Sequence, residues 1–277
     1  MEKDLRRLLS KYGLTFKKAF GQNFLSDERL LGTIVEKAGV TAEDTVIEIG
    51  CGAGTLTREL ALRAKKVIGY EIDRSLKPLL SDVLSEFDNV KIIYKDVMKE
   101  SVESIQKEAG GCYKIVANLP YYITTPIVMR FLESSDMLLS MSVMVQEEVA
   151  ERFVALPDSP EYGAITVGIN LRGYAEIVER VPREMFTPAP NVDSAVVKIT
   201  LARDKFRGTD FAAVRETVKA AFSSRRKMLV NNLMNFYKLA RADAEKALIA
   251  ANIPLTARGE ALSAEEFIRL SEELKHV

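Results

Sequence analysis

Four polar features recur along the first half of the chain at nearly one interval. Gly50 opens the run Gly50-Cys51-Gly52-Ala53-Gly54, and Glu71, Asp96 and Asn118 follow at spacings of 21, 25 and 22 residues. Each closes a short apolar run. Glycine at such a point lets backbone approach a ligand closely, and an acid at the next strand end can take a ribose diol. An acid after a third strand suits an adenine exocyclic amine, because a carboxylate accepts hydrogen bonds from it. This set serves NAD or S-adenosylmethionine equally. The order is E-x-G-x-G-x-G, with Glu48 ahead of the glycines, rather than the dinucleotide G-x-G-x-x-G. No G-x-x-x-x-G-K-[ST] loop occurs, which argues against ATP or GTP. At the fourth position stands NLPY (118–121). A plain strand-to-loop turn uses Asn and Pro for their backbone habits alone; at an edge shared with the glycines and both acids, the same residues also offer an acceptor and a ring face.

The interval of 21–25 residues is one strand plus one helix, which states what must position these groups. TVIEIG (45–50), KVIGYEID (66–73), NVKIIYKD (89–96), YKIVANLP (113–120) and LSMSVMVQ (139–146) read as buried strands with helical stretches between them. Near-continuous apolar strands alternating with helices predict an α/β fold with a parallel sheet covered on both faces. In such a sheet the polar positions line the carboxyl edge, where ligands bind. YGAITVGINLRGY (162–174) and VDSAVVKITLAR (192–203) read as an antiparallel extension at one edge. After about Arg203 the pattern turns helical, which places a domain boundary near 203–208: a sheet domain over 1–203 and a helical domain over 204–277.

Composition narrows the chemistry. The 277 residues are 47% hydrophobic with 39 basic and 39 acidic side chains, so no global charge draws the protein to nucleic acid or membrane. The only histidine is His276, which removes triads, Cys-His pairs and histidine-rich zinc sites, and no metal is expected. Cys51 and Cys112 stand in no metal spacing and read as reduced thiols of a cytosolic protein. Cys51 is a small filler of the glycine loop rather than a nucleophile, having no base beside it. No apolar run approaches the ~20 residues that span a bilayer, and the N-terminal stretch points to neither export nor organelle import.

FGQNFL (20–25), VIEIGCGAGTLT (46–57), IGYEID (68–73), KDVM (95–98), VANLPYYI (116–123) and FTPAPNVDSAVV (186–197) together resemble the ribosomal RNA adenine dimethyltransferase family. SSRRKML (223–229) and ARGEALSAEEF (257–267) resemble its small-subunit branch. The likeness runs over essentially the whole chain. It implies a Rossmann-like, mostly parallel, seven-stranded methyltransferase sheet followed by a small all-helical RNA-binding domain, with residues 1–25 as an N-terminal extension or lid. It implies S-adenosylmethionine as cofactor, held by Gln22, Asn23, Leu25, Gly50, Gly52, Glu71, Ile72, Asp96, Val97 and Asn118. It implies dimethylation at N6 of two adjacent adenosines of 16S RNA in the small ribosomal subunit or its precursor, by a cytoplasmic monomer.

In that reading Asn118 and Pro120 supply acceptors for the two N6 hydrogens and so favour a pyramidal nitrogen. Tyr121 gives a stacking face, and Phe186 closes on the base from the other side. Phe186 also reads as an ordinary core residue, and FTPAP (186–190) as a stiff loop. Two segments are locally basic: residues 1–22 at +4 and 203–228 at +5. Arg225, Arg226 and Lys227, read as a helix start, are candidate RNA contacts. The rivals are a 23S RNA adenine methyltransferase of the antibiotic-resistance type, a protein-glutamine or DNA-adenine methyltransferase (against which Leu119 argues) and a non-catalytic assembly factor.

Overall fold

A computed structural model describes residues 10–14, 23–202 and 204–277. They form two compact units, the first drawn from residues 1–150 and 176–201 and the second from 151–175 and 202–277.

The first unit is the sheet. In chain order its elements are β1 (Phe24–Leu25), α1 (Glu28–Lys37), β2 (Thr45–Ile49), α2 (Thr55–Ala61), β3 (Lys66–Tyr70), α3 (Lys77–Val83), β4 (Val90–Ile93), α4 (Val102–Ala109), β5 (Tyr113–Asn118), α5 (Thr124–Ser134) and β6 (Leu138–Gln146). After α6 (Glu147–Val154) and α7 (Ala164–Asn170), the second of which belongs to the other unit, come β7 (Gly173–Val181), β8 (Phe186–Thr187) and β9 (Ser194–Leu201). Seven strands make one sheet in the order β4-β3-β2-β5-β6-β9-β7. β2 through β6 pair in parallel, and β9 runs antiparallel to β6. The chain builds outward from β2 to β4, then returns to β2's other side with β5. That reversal opens a crevice beyond the carboxyl ends of β2 and β5, the place where doubly wound sheets take ligands.

Local chemistry sets the element ends. Asp27 caps α1 by accepting from Leu30 N at 2.9 Å. Ser101 starts α4, and Gly110 at φ 77° ends it in the left-handed conformation. Val46, Ile47, Val67, Ile68, Ile115 and Val116 are at most 1% exposed, and α1 covers one face with Leu31, Ile34 and Val35. Each such side chain contributes roughly 1.5–3 kcal/mol by leaving water.

The second unit is helical: α8 (Phe211–Ala221), α9 (Leu229–Tyr237), α10 (Arg241–Ala250) and α11 (Ala264–Glu273). Its core joins Val214 and Val218, Leu229 and Leu233, Ala247 and Leu248, and Phe267 and Leu270.

Three expectations are corrected. The run 162–174 is not a strand: 164–170 is α7, and β7 begins only at Gly173. Its β-branched residues favour extended backbone in isolation, but as a helix it buries Thr166, Val167 and Ile169. Val167 and Tyr162 enter the core of the helical unit, where the Tyr162 hydroxyl donates to Leu262 O at 2.7 Å. For the same reason residues 151–175 lie with the helical unit rather than in a sheet domain of 1–203. Finally, Arg225, Arg226 and Lys227 are not in a helix; they occupy the turn between α8 and α9.

Candidate active site

Glu48, residues 50–52, 71–72 and 116–121 line one cavity, together with 23–25 from the segment before α1. Gly50 and Gly52 are on its wall, and Gly54 follows them at the start of α2. Gly50, Gly52 and Gly54 have φ of 81°, 54° and 82°, the left-handed region that other residues reach only with strain. A Cβ on Gly52 would also come within 2.8 Å of the Phe24 ring. Thr55 donates its hydroxyl to Leu25 O at 2.7 Å, tying the end of the glycine loop to β1.

Glu71 follows β3 directly and is 4% exposed. Its carboxylate accepts from Asp73 N at 2.7 Å and from Gly52 N at 2.9 Å. Burial pushes this carboxyl up, and the two backbone N–H groups pull it part of the way back. Ile72, half exposed at 49%, adds an apolar edge to the cavity.

Beneath the glycines lies Glu48, 1% exposed, whose Oε2 has no hydrogen-bond partner among the described residues. Burial raises its carboxyl to about 8, with Glu71's charge adding to the shift. Ser142 on β6 also lines the cavity with an unpartnered buried hydroxyl. Buried polar groups are rarely left unpaired without a ligand, water or function to explain it. Cys51 packs its sulfur over Gly69, where any Cβ would lie 2.3 Å from it, and burial holds its thiol well above the usual range. It is therefore a packing residue, as the sequence implied.

Asn118 ends β5. Its Nδ2 donates to Asn23 O at 3.0 Å, so its amide oxygen is left as an acceptor with no partner among the described residues. Pro120 O accepts from Ile123 N at 3.1 Å and, less closely, from the Thr124 hydroxyl at 3.4 Å. Tyr121 begins a short 3₁₀ turn (Tyr121–Ile123), and its hydroxyl lies 2.7 Å from that of Ser194.

Asp96 lies three residues beyond the end of β4 at Ile93, not at the strand end itself. It caps the 3₁₀ turn Val97–Lys99 by accepting from Met98 N at 3.0 Å. Neither Asp96 nor the buried Val97 lines the cavity directly. The resemblance puts Phe186 over the target base; here the ring is 3% exposed and absent from the cavity wall. β8 pairs with β1, opposing Phe186 to Leu25, and the ring is packed with Leu25 and Val181. Gln22 lies outside the described residues. Glu48 and Ser194 join the site from outside the set that the sequence points to; Glu48's lead position before the glycines is a signal, whereas nothing local marks Ser194.

In the helical unit, the turn 223–228 is tightly pinned. Asn232, 1% exposed, donates to Ala221 O at 2.7 Å and Ser224 O at 3.0 Å. Arg225 donates to Pro160 O at 2.7 Å and Tyr162 O at 2.8 Å, and its Nε is 3.6 Å from Glu260. Arg225 is therefore a structural tie. Arg226 and Lys227 are exposed, and their side chains have no partner among the described residues. No group of three or more His, Cys, Asp or Glu among the described residues can hold a metal ion, and no helix among them is long and apolar enough to cross a membrane.

Residues 13–276 match the family model for ribosomal RNA adenine dimethylase. A ribosomal RNA small subunit methyltransferase A from Bacillus licheniformis is 46% identical over 98% of this chain and 96% of its own. Its counterpart from Clostridioides difficile is 43% identical, covering 96% and 93%. Among solved structures, a dimethyladenosine transferase from Plasmodium falciparum superposes with a TM-score of 0.78 at 25% identity, covering 91% of this chain and 98% of that one. The 23S rRNA methyltransferase ErmE superposes at 0.70 with 30% identity, covering 91% and 100%. With a cavity at the switch point, left-handed glycines on its wall and NLPY beside them, the chain belongs to the ribosomal RNA adenine dimethylase family.

Proposed function

We propose that the protein uses S-adenosylmethionine to dimethylate N6 of two adjacent adenosines in the 3′-terminal hairpin loop of 16S ribosomal RNA. It would do so as a cytoplasmic monomer, during maturation of the small subunit. The observation that carries the reading is the Asn118 side chain on the cavity wall, whose amide nitrogen is held by Asn23 O and whose oxygen is left as an acceptor with no partner among the described residues.

The cavity fits the cofactor: open glycine backbone, an acid for hydroxyls, an apolar edge, and unpartnered Glu48 and Ser142 oxygens on its wall. Bound there, S-adenosylmethionine supplies an electrophilic methyl group on a sulfonium. Gly50 and Gly52 give the close backbone approach, with Asn23 and Leu25 closing one side. Gln22, by resemblance, extends that cover. Glu71 would accept from the ribose hydroxyls, Ile72 would pack on the adenine, and Asp96 with Val97 would hold the adenine amine.

The N6 lone pair of a target adenine is delocalised into its ring, so the protein's task is to favour a pyramidal nitrogen. Asn118 Oδ1 accepts one N6 hydrogen. Pro120 O accepts the other by displacing the long Thr124 contact. Tyr121 presents its ring to the base, and Phe186, opposite Leu25 in the β1–β8 pair, backs the Leu25 side of the cavity rather than stacking. Once methylated the nitrogen is acidic and sheds its proton to water, so orientation and electrostatics carry the rate and no side chain is needed as a base. Arg226 and Lys227 contact phosphate.

A 23S substrate is the second reading, because the fold is shared with a 23S enzyme; the higher identity of the small-subunit relatives favours the first. Labelled methyl transfer to separated, unmethylated small and large subunits distinguishes the two.

A further inference from the structure

Arg130 lies on α5, the helix that starts where the Tyr121–Ile123 turn ends, yet its guanidinium reaches a different part of the sheet edge. Its Nη1 donates to Val97 O at 2.7 Å and its Nη2 donates to Glu100 O. One carbonyl belongs to Val97, the first residue of the 3₁₀ turn that Asp96 caps, and the other to Glu100, which follows its last residue, Lys99. The turn is thus held at both ends. At its start Asp96 Oδ1 accepts from Met98 N, and one cation meets the carbonyls of both its first residue and the residue that follows the turn. Arg130 is half-buried and pairs with no carboxylate among the described residues. The Glu100 carboxylate is taken by Lys95 at 2.9 Å, an ion pair whose lysine is 55% exposed; exposed pairs of that kind hold a loop only weakly.

With Oδ1 used on Met98, Asp96 Oδ2 remains the free acceptor. Its direction is fixed by the turn, and the turn by the guanidinium fork, which can bridge two carbonyls at once where a lysine ammonium is a single point charge. We propose that Arg130 is a positioning residue that sets the aim of Asp96, and so gives the cofactor site its selectivity for a base carrying an exocyclic amine. This rests on the reading of Asp96 as the acceptor for that amine.

The test compares binding, by calorimetry, of S-adenosylhomocysteine and S-inosylhomocysteine, which differ by an amine against a carbonyl at one ring position. Wild-type protein should prefer the adenosyl ligand by tenfold or more, the range of a hydrogen bond to a charged acceptor. Arg130→Met should reduce that preference to less than about threefold, with inosyl affinity within about twofold of wild type. Arg130→Lys, which keeps the charge and one carbonyl contact, should fall between them and decides the matter if the methionine variant does not fold. Asp96→Ala provides the control. If it keeps the full preference, the reading of Asp96 fails and the inference with it. If it loses the preference while the Arg130 variants keep theirs, the inference alone is overturned. An equal loss of both ligands in the Arg130 variants would also overturn it, since that is the mark of a residue that only holds the fold.

Discussion

The Tyr121 hydroxyl meets the Ser194 hydroxyl at 2.7 Å, joining the turn after β5 to the first residue of β9. Ser194 is fully buried and sits in ladder register with Gln146 on β6, so the far end of the tyrosine ring is anchored to the sheet itself. Burial raises the Tyr121 phenol, and the hydrogen bond with Ser194 pulls it part of the way back. Releasing that anchor should loosen the ring without touching the glycine loop. Ser194→Ala is expected to slow methyl transfer roughly fivefold, the value of about 1 kcal/mol for a neutral hydrogen bond, with cofactor affinity unchanged. Tyr121→Phe should do the same, and the double variant no more than either; additive losses in single-turnover rates would show that the two hydroxyls act separately.

Glu71 carries two duties, since it accepts from the Gly52 and Asp73 N–H groups and faces the cavity. Glu71→Ala should weaken S-adenosylmethionine by ~1.5–3 kcal/mol, the usual range for hydrogen bonds to a charged group. Calorimetry on a folded variant that returned wild-type affinity would move the ribose elsewhere.

Glu48 predicts a pH dependence. Its carboxyl is raised from the ordinary 4.5 to about 8, so between those values the folded protein holds a proton that the unfolded chain has released. Stability from this group is present below pH 4.5 and is lost as pH rises toward 8. Glu48→Gln, neutral at every pH, should therefore be close to wild type in urea unfolding near pH 5 and more stable by a few kcal/mol at pH 8. A stability difference that does not change between the two pH values would show that Glu48 is not held protonated by its burial.

In the helical unit the three adjacent cations divide by role. Arg226→Ala with Lys227→Ala should weaken binding to hairpin RNA and small subunits and reduce the salt dependence by about one to two phosphate contacts. Arg225→Ala should instead lower the melting temperature, because it releases Pro160 O, Tyr162 O and Glu260. Equal salt slopes for the double variant and wild type would make the turn an ordinary solvated one.

Much of the fold could be read locally. VIEI and KVIG announce themselves as central parallel strands because both faces are buried and neither alternates, and the glycines and Glu71 follow directly from them. What escaped the sequence depends on distant partners. AITVGIN has strand-like residues, but tertiary burial of Val167 against the helical core decides for a helix. Arg225 looks like a free cation until it meets carbonyls 63 and 65 residues away. Phe186 is drawn into the core by the β1–β8 pairing, a contact made across more than 160 residues of chain. Asp96 looked like a strand end because KIIYKD continues an apolar run, whereas the strand stops at Ile93 and the acid caps a turn.

The central claim is that Asn118 directs methyl transfer to adenine N6 of small-subunit RNA, and one measurement tests it most directly. Unmethylated small and large subunits are incubated separately with labelled S-adenosylmethionine and either wild-type protein or Asn118→Ala, and the labelled nucleotides are mapped. The wild type should place two methyl groups on N6 of each of two adjacent adenosines in the 3′-terminal hairpin loop of the small-subunit RNA and leave the large subunit unlabelled. Asn118→Ala, still folded, should lose that transfer by at least a hundredfold, because its amide acts on the nitrogen as it pyramidalises. Label in the large subunit alone, label at any position other than adenine N6, or an Asn118→Ala rate near wild type would contradict the account.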